Sequence, residues 1–185
     1  MQIGESTSLV RDCDVVQIPE GFQVRLARGT NVRLLQALGD TFSVMTEYGT
    51  LVRILGKDAD AIGMPPPVEG DAVAPTAIPS TAEELKERVW TALRYVYDPE
   101  IPINVVELGL IYKNEVTPLA SGYKVEVDMT LTAPGCGMGQ VLKEDAERRI
   151  RILPGVQTVS VQIIFDPPWD QTRMSEAAKL ELGLA

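Results

Sequence analysis

The chain has 185 residues, of which 45% are hydrophobic and 23% are charged. This length suits one domain of ordinary size or two small ones, and the composition is that of a globular protein rather than a disordered or fibrous one. Lys and Arg number 17 against 26 Asp and Glu, which leaves a formal net charge of -9. Because such a charge opposes binding to phosphate backbones, we expect no nucleic-acid partner.

The chain contains no histidine and only two cysteines, Cys13 and Cys136. Without an imidazole it cannot by itself form a Ser-His-Asp or Cys-His nucleophilic site, or a His-rich metal site. Two distant thiols complete neither a structural Cys₄ site nor a disulfide scaffold. The start carries no secretory leader pattern, and no apolar run is long enough for a bilayer. We therefore expect a cytoplasmic protein without a membrane partner.

A proline-rich stretch divides the chain. Residues 64–79 read MPPPVEGDAVAPTAIP and contain no basic residue. Proline fixes the backbone and removes hydrogen-bond donors, so this composition predicts an extended, semi-rigid linker. The domain organisation we expect is a small module over residues 1–63, the linker over 64–79 and a larger domain over 80–185.

The N-terminal module is predicted to be mostly β. Its short apolar stretches are separated by turn-forming glycines at positions 21, 29, 39 and 49. Val32–Leu38 fits either a strand or a helical turn. A module of this size buries only a small core, so we expect it to pack against the larger domain or a partner.

The C-terminal domain begins with capping-box spacing, since Ser80 and Thr81 are each followed three residues later by a glutamate. Apolar spacing then predicts two helices, and alternating apolar residues predict three strands. In chain order these are a helix ended by Pro99, strands over 108–116 and 123–131, a helix over 140–153, a strand over 159–165 and a helical tail near 175–182. The pattern indicates an α+β fold, a two-layer α-β-β-α-β domain with both helices on one face of a small, largely antiparallel sheet.

The segment LTAPGCGMG over residues 131–139 stands out, because it places Cys136 among glycines directly before a helix. Backbone N–H groups at a helix start favour anions, so a thiol there is expected to have a lowered pKa and to bind soft metals or attack electrophiles. Gly135, Gly137 and Gly139 leave room for a cluster or another chain to approach. The alternative is that Cys136 is a small buried hydrophobe beside a turn.

Cys13 lies between Asp12 and Asp14, and neighbouring negative charge raises a thiol pKa. We favour a structural role for Cys13. It could act as a second ligand if the N-terminal module folds over Cys136.

Asp98 and Glu100 lie in one proline turn and Trp169 in another. The two acids fit ordinary turn formation, whereas a tryptophan in a polar turn suggests a partner-binding residue.

Three motifs together resemble the SufT branch of the PaaD-type iron–sulfur assembly domain. They are DPEIPINVVELGLIY over 98–112, LTAPGCGMG over 131–139 and FDPPWDQTRMS over 165–175. Upstream, IPEGFQVRLARGTNV, QALGDTFSV and KDADAIG resemble the extension that precedes this domain in SufT-like proteins. The likeness covers most of the chain outside the linker and the extreme N-terminus.

The resemblance implies a compact α-β-β-α-β fold and a role in iron–sulfur protein maturation alongside the SUF machinery. The family's functional cysteine falls on Cys136 and its acidic motif on Asp98, Pro99 and Glu100. The partners expected in this pathway are SUF assembly components and client apo-proteins. One thiolate per chain cannot supply the four ligands that an iron–sulfur cluster usually needs, so we expect transient binding and handover of the cluster. Two Cys136 segments of a homodimer could supply half of the ligands, with small thiols or a client protein supplying the rest.

Two other functions compete with this carrier. In an adaptor, Asp98, Glu100 and Trp169 recruit partners and Cys136 is structural. In a thiol enzyme, Cys136 is a nucleophile or redox centre. The chain has neither histidine nor a CxxC pair, so it lacks an obvious general base or resolving thiol. We therefore rank carrier, adaptor and enzyme in that order, and expect no enzymatic turnover.

Overall fold

The computed structural model describes residues 2–65, 77–98, 100–135 and 137–184. The chain divides into two compact units, Met1–Asp71 and Ala72–Ala185. Most of the predicted linker, residues 66–76, lies outside the described residues. The end of the predicted linker packs on the second unit: Arg88 donates to the carbonyl of Ala77 at 2.5 Å, and the Tyr123 hydroxyl donates to that of Pro79 at 3.2 Å.

The first unit is a six-stranded antiparallel sheet in the order β1-β4-β5-β6-β2-β3, followed by a short 3₁₀ helix at Gly56–Ile62. The strands are β1 Ser6–Ser8, β2 Cys13–Gln17, β3 Gln23–Leu26, β4 Asn31–Leu38, β5 Thr41–Thr46 and β6 Leu51–Leu55. The ambiguous segment from Val32 to Leu38 is therefore strand, because its alternate residues Val32 and Leu34 enter the core of this unit.

The second unit has the predicted order of elements. These are α1 Ala82–Leu93, β7 Ile111–Leu119, β8 Gly122–Met129, α2 Gly139–Arg151, β9 Val156–Ile163 and α3 Glu176–Glu181. The α+β prediction is confirmed, and alternate residues of β8 (Val125, Val127 and Met129) are fully buried in the core that α1 and α2 help to form. Helix α1 starts as expected, since Thr81 accepts a hydrogen bond from the Glu84 amide at 3.1 Å.

The sheet of the second unit differs from the expected one in strand direction. Strand β7 pairs antiparallel with β8, but β8 pairs parallel with β9, so the sheet is mixed rather than largely antiparallel. The physical reason is the connection: α2 carries the chain back along the sheet between β8 and β9, and a crossover of this kind returns the next strand in the same direction.

Several element boundaries also differ from the predicted ones; β9, for example, spans Val156–Ile163 rather than 159–165. Strand β7 starts at Ile111 rather than at residue 108, because Gly109 has φ +68° and forms a turn. Helix α2 ends at Arg151, two residues before its predicted end. No helix among the described residues is long and apolar enough to cross a bilayer.

Candidate functional site

Strand direction brings the three sequence motifs to one end of the second unit's sheet. The register aligns Ile111 at the start of β7 with Met129 at the end of β8, and Met129 with Ile163 at the end of β9. The segments before β7, after β8 and after β9 therefore emerge together. Two hydrogen bonds join them: the Thr130 amide donates to Leu110 O and the Ile164 amide to Met129 O, both at 2.8 Å. We call this the site end.

The segment between β8 and α2 is exposed where the sequence places the cysteine. Cys136 itself lies outside the described residues, but Ala133, Pro134, Gly135 and Gly137 around it are all exposed. Gly135 has φ +82° with open space where a side chain would lie. This backbone conformation favours glycine, so the residue before Cys136 is explained by the turn.

The two ends of this segment contact each other. Leu131 and Met138 are buried, and a Cβ on Gly139 would lie 2.6 Å from Cδ1 of Leu131. Gly139 thus lets helix α2 start close against Leu131. This packing explains the glycine without any bound group, and its predicted contact with a cluster stays a prediction, as do those of Gly135 and Gly137.

Helix α2 begins without a side-chain cap. Its N-cap residue is Met138, which makes no side-chain capping hydrogen bond, and its first turn contains no acidic residue. Helices α1 and α3, in contrast, are capped by Thr81 and Ser175 and carry glutamates in their first turns. Neither a capping side chain nor a first-turn carboxylate therefore neutralises the positive end of the α2 dipole, which follows Cys136 by two residues in sequence.

The acidic motif forms a turn in which its first residue accepts backbone hydrogen bonds. Oδ1 of Asp98 accepts hydrogen bonds from the amides of Glu100 at 2.8 Å and Ile101 at 3.0 Å, and the residue is 7% exposed. Pro99 lies outside the described residues. Asn104, which the sequence analysis did not single out, accepts from the Val106 and Glu107 amides in the same way. Asp98 thus has a structural function, while the side chain of Glu100 points to an exposed position.

Trp169 is half-buried and packs against the core of the second unit. Its indole N–H donates to the carbonyl of Leu108 at 2.8 Å. These contacts explain a tryptophan in a polar turn, because the apolar part of the ring packs on the core while the indole N–H has a hydrogen-bond acceptor. The predicted roles of Trp169, Asp98 and Glu100 in partner binding stay predictions.

The third motif also contributes a cation. The guanidinium carbon of Arg173 lies 4.3 Å from the centroid of the Tyr112 ring, at the start of β7. Neither residue carries a local signal in the sequence, since the pair forms only when the segment after β9 returns to the start of β7. Asp170 holds the turn before Arg173, and the Thr172 hydroxyl and amide that donate to it lower the pKa of its carboxyl.

Cys13 lies in the core of the first unit and is 1% exposed. Burial, with a smaller contribution from nearby Asp58, raises the pKa of its thiol to about 11. The predicted direction was right, but burial outweighs the neighbouring charges on which that prediction rested. A protonated, buried thiol is typical of a structural cysteine rather than a ligand.

Comparison with known proteins identifies the family. A sequence profile described as "Iron-sulfur cluster assembly protein" matches residues 86–162. The chain is 45% identical over 100 residues to the "Fe-S protein maturation auxiliary factor" of Porphyromonas gingivalis, an alignment that covers 54% of this chain and 92% of the relative. It is 39% identical over 90 residues to the "Fe-S protein maturation auxiliary factor SufT" of Staphylococcus aureus, covering 49% of this chain and 99% of the relative.

The fold comparison agrees. A crystal structure of a domain of unknown function from Bacillus anthracis superposes with a TM-score of 0.50 at 31% identity, covering 56% of this chain and 96% of that domain. The matched profile lies wholly within the second unit, which holds the three motifs at its site end. Sequence identity, coverage and fold together place this chain in the family of iron–sulfur protein maturation factors that includes SufT.

Proposed function

We propose that this protein is an accessory factor in iron–sulfur protein maturation that binds an iron–sulfur cluster or iron transiently through Cys136 and hands it to a client protein. Its partners in this proposal are SUF assembly components and client apo-proteins in the cytoplasm. The names of the relatives support the pathway, since they are described as auxiliary factors for Fe–S protein maturation. A further relative from Synechocystis is described as an iron–sulfur cluster carrier protein.

The observation that carries the proposal is the arrangement at the site end. The residues flanking Cys136 in sequence are exposed, and they precede a helix start with neither a capping side chain nor an acidic first turn. An exposed thiolate beside such a helix start is favoured electrostatically, and thiolate is the form that ligates iron. The site therefore suits a soft, accessible metal ligand.

The remaining donors support transient rather than permanent binding. Among the described residues, no group of three or more His, Cys, Asp or Glu side chains is placed to hold a metal ion. Cys13 is buried with its thiol protonated at neutral pH. Because a cluster usually takes four protein ligands, Cys136 would share it with a second chain, a small thiol or the client. Incomplete ligation favours release to a protein that offers a full set.

We further propose a binding and transfer role without enzymatic turnover. The chain has no histidine to act as a general base for a thiol nucleophile. The relatives are described as auxiliary factors and carriers, not as enzymes.

The test is anaerobic reconstitution of the full chain with iron and sulfide, read by visible absorption and iron content. We expect wild type to develop a cluster chromophore that Cys136→Ser loses. Cys13→Ser is the matched control, because it removes the other thiol and should leave the chromophore unchanged. Equal iron in wild type and Cys136→Ser would contradict the carrier. If neither protein binds iron and both hold the same partners, the adaptor function is the correct one.

A further inference from the structure

We infer that two copies of this chain associate through their site ends, with Arg173 of each copy pairing with an exposed carboxylate of the other, supplied by Asp166 or Glu100. The inference deepens the proposed function and rests on it for the cargo, which would then be held between two copies of the site.

The structure holds Arg173 in place from several sides. Its backbone lies between the Asp170 turn and the buried Met174, and the amide of Ser175, two residues on, donates to Glu107 O at 2.9 Å. Its guanidinium lies over the ring of Tyr112, 4.3 Å from the centroid. A guanidinium fixed in this way loses little conformational entropy when it binds a carboxylate.

Arg173 also lacks the partner that its counterparts have. Within the described part of the second unit, every other arginine has a carboxylate oxygen within ion-pair distance. The pairs are Arg88–Glu84 at 2.5 Å, Arg94–Glu107 at 3.9 Å, Arg148–Asp145 at 2.5 Å, Arg149–Asp145 at 3.4 Å and Arg151–Glu147 at 3.9 Å. The two acids nearest in sequence, Asp170 and Glu176, are each three residues away and are engaged by Thr172 and Lys179. The charge of Arg173 contributes to the lowered pKa of Asp170, but no described carboxylate oxygen lies within ion-pair distance of its guanidinium. Arg173 thus presents a preformed cation to solvent.

Matching anions lie at the same end. Asp166 follows Ile164, whose amide is bonded to the end of β8, and it precedes Trp169, which is bonded to Leu108. Glu100 lies at the tip of the Asp98 turn. Both carboxylates are exposed, and neither forms an ion pair with another described residue.

A second copy offers this surface a matching pattern of charge, because the surface carries both a fixed arginine and exposed carboxylates. The net charge of -9 opposes association of two copies at long range, so the contact depends on these local pairs. In a dimer with two-fold symmetry the same patch of both copies forms the interface, so each Arg173–carboxylate pair occurs twice. Exposed apolar residues at the same end, Phe165, Pro167, Pro168, Ala133 and Pro134, provide the nonpolar contact that ion pairs alone lack. Such an arrangement brings two copies of the cysteine-bearing segment to one interface.

The experiment measures self-association of the full chain by sedimentation velocity under anaerobic conditions, before and after reconstitution with iron and sulfide. We expect Arg173→Glu to raise the dimer dissociation constant about tenfold or more, because two pairs are lost and two repulsions are gained. Arg28→Glu is the matched control. Arg28 is exposed in the first unit, and the change alters net charge equally, so its effect should be under about threefold.

Charge reversal on the acidic side completes the test. Asp166→Arg or Glu100→Arg should weaken the dimer by itself and restore it when combined with Arg173→Glu, and the rescuing position identifies the acceptor. Asp166→Arg also tests the same pair if Arg173→Glu fails to fold, since the Asp166 side chain holds no bond in the described structure. A wild-type protein that is monomeric both before and after reconstitution overturns the inference. So does an Arg173→Glu variant that matches Arg28→Glu, or the absence of any rescue.

Iron content, read on the same samples, separates this inference from the proposed function. A monomer that carries iron through Cys136 refutes the dimer and leaves the carrier intact. An iron-free dimer that depends on Arg173 supports the contact while refuting the carrier.

Discussion

The carbonyl group of Arg173 lies where a side chain on residue 109 would have to be. A Cβ atom built on Gly109 falls 2.7 Å from the carbonyl carbon of Arg173 and closer still to its oxygen. Gly109 also has φ +68°, a conformation that L-residues rarely adopt. The turn before β7 and the segment after β9 can therefore pack together only because this residue is glycine.

We expect Gly109→Ala to lower the free energy of unfolding by about 2–4 kcal/mol, since it combines backbone strain with a clash that must displace the Arg173 segment. Urea unfolding would measure this loss in unfolding free energy. Gly183→Ala is the matched control, because Gly183 has φ +69° but open space around its Cα, and should cost only about 1 kcal/mol. Equal losses in the two variants would show that the close approach is unimportant.

The hydrogen bond from Trp169 to Leu108 O predicts a stability effect of its own. Trp169→Phe keeps an aromatic ring but leaves the Leu108 carbonyl without its donor, so we expect a loss of about 1–2 kcal/mol in unfolding free energy. Phe165→Ala, at a side chain 47% exposed, should cost under about 1 kcal/mol. A Trp169→Phe protein as stable as wild type, yet defective in partner binding, would mean that the indole acts only at an interface.

The two carboxylates of the first motif, Asp98 and Glu100, should affect stability differently. Asp98→Ala removes the acceptor of two backbone amides and should lower the unfolding free energy by about 1–3 kcal/mol. Asp98→Asn retains an oxygen acceptor and should cost less. Glu100→Gln should leave stability unchanged, because the Glu100 side chain is exposed, and thermal melts of the three proteins would check this order. A Glu100→Gln protein less stable than Asp98→Ala would contradict our assignment.

Cys13 predicts a specific pH dependence. Burial raises the pKa of its thiol to about 11, above the value of about 8.5 expected in the unfolded chain. A group whose folded-state pKa is raised contributes stability that is fully present below the unfolded pKa and is lost as pH rises through the folded one. Unfolding free energy should therefore fall between about pH 8.5 and about pH 11 more steeply in wild type than in Cys13→Ala. Parallel pH profiles for the two proteins would refute this.

The same burial predicts slow chemistry at Cys13. A thiol that is 1% exposed and protonated at pH 8 should resist iodoacetamide until the first unit unfolds. Peptide mass spectrometry after alkylation, with and without urea, would measure the labelled fraction of Cys13. Full labelling of Cys13 in the native protein would show that the thiol is accessible.

Much of the fold follows from local sequence patterns. Alternation at residues 123–131 predicts β8, and helical spacing with a capping Thr81 predicts α1, because which face of an element is buried depends on residues close together in the chain. The glycine-flanked place of Cys136 before a helix and the grouping of the three motifs as one family signature were also readable from the sequence alone.

Tertiary structure decided what those patterns left open. Strand β9 runs parallel to β8 because α2 crosses between them, and only that direction brings the segments after both strands to the end where β7 begins. The bond from Trp169 to Leu108 and the stacking of Arg173 on Tyr112 join positions some sixty residues apart. Local propensity determines which residues share a face of an element, but contacts at such separation depend on how the elements pack. The site end is therefore a property of the fold rather than of any one motif.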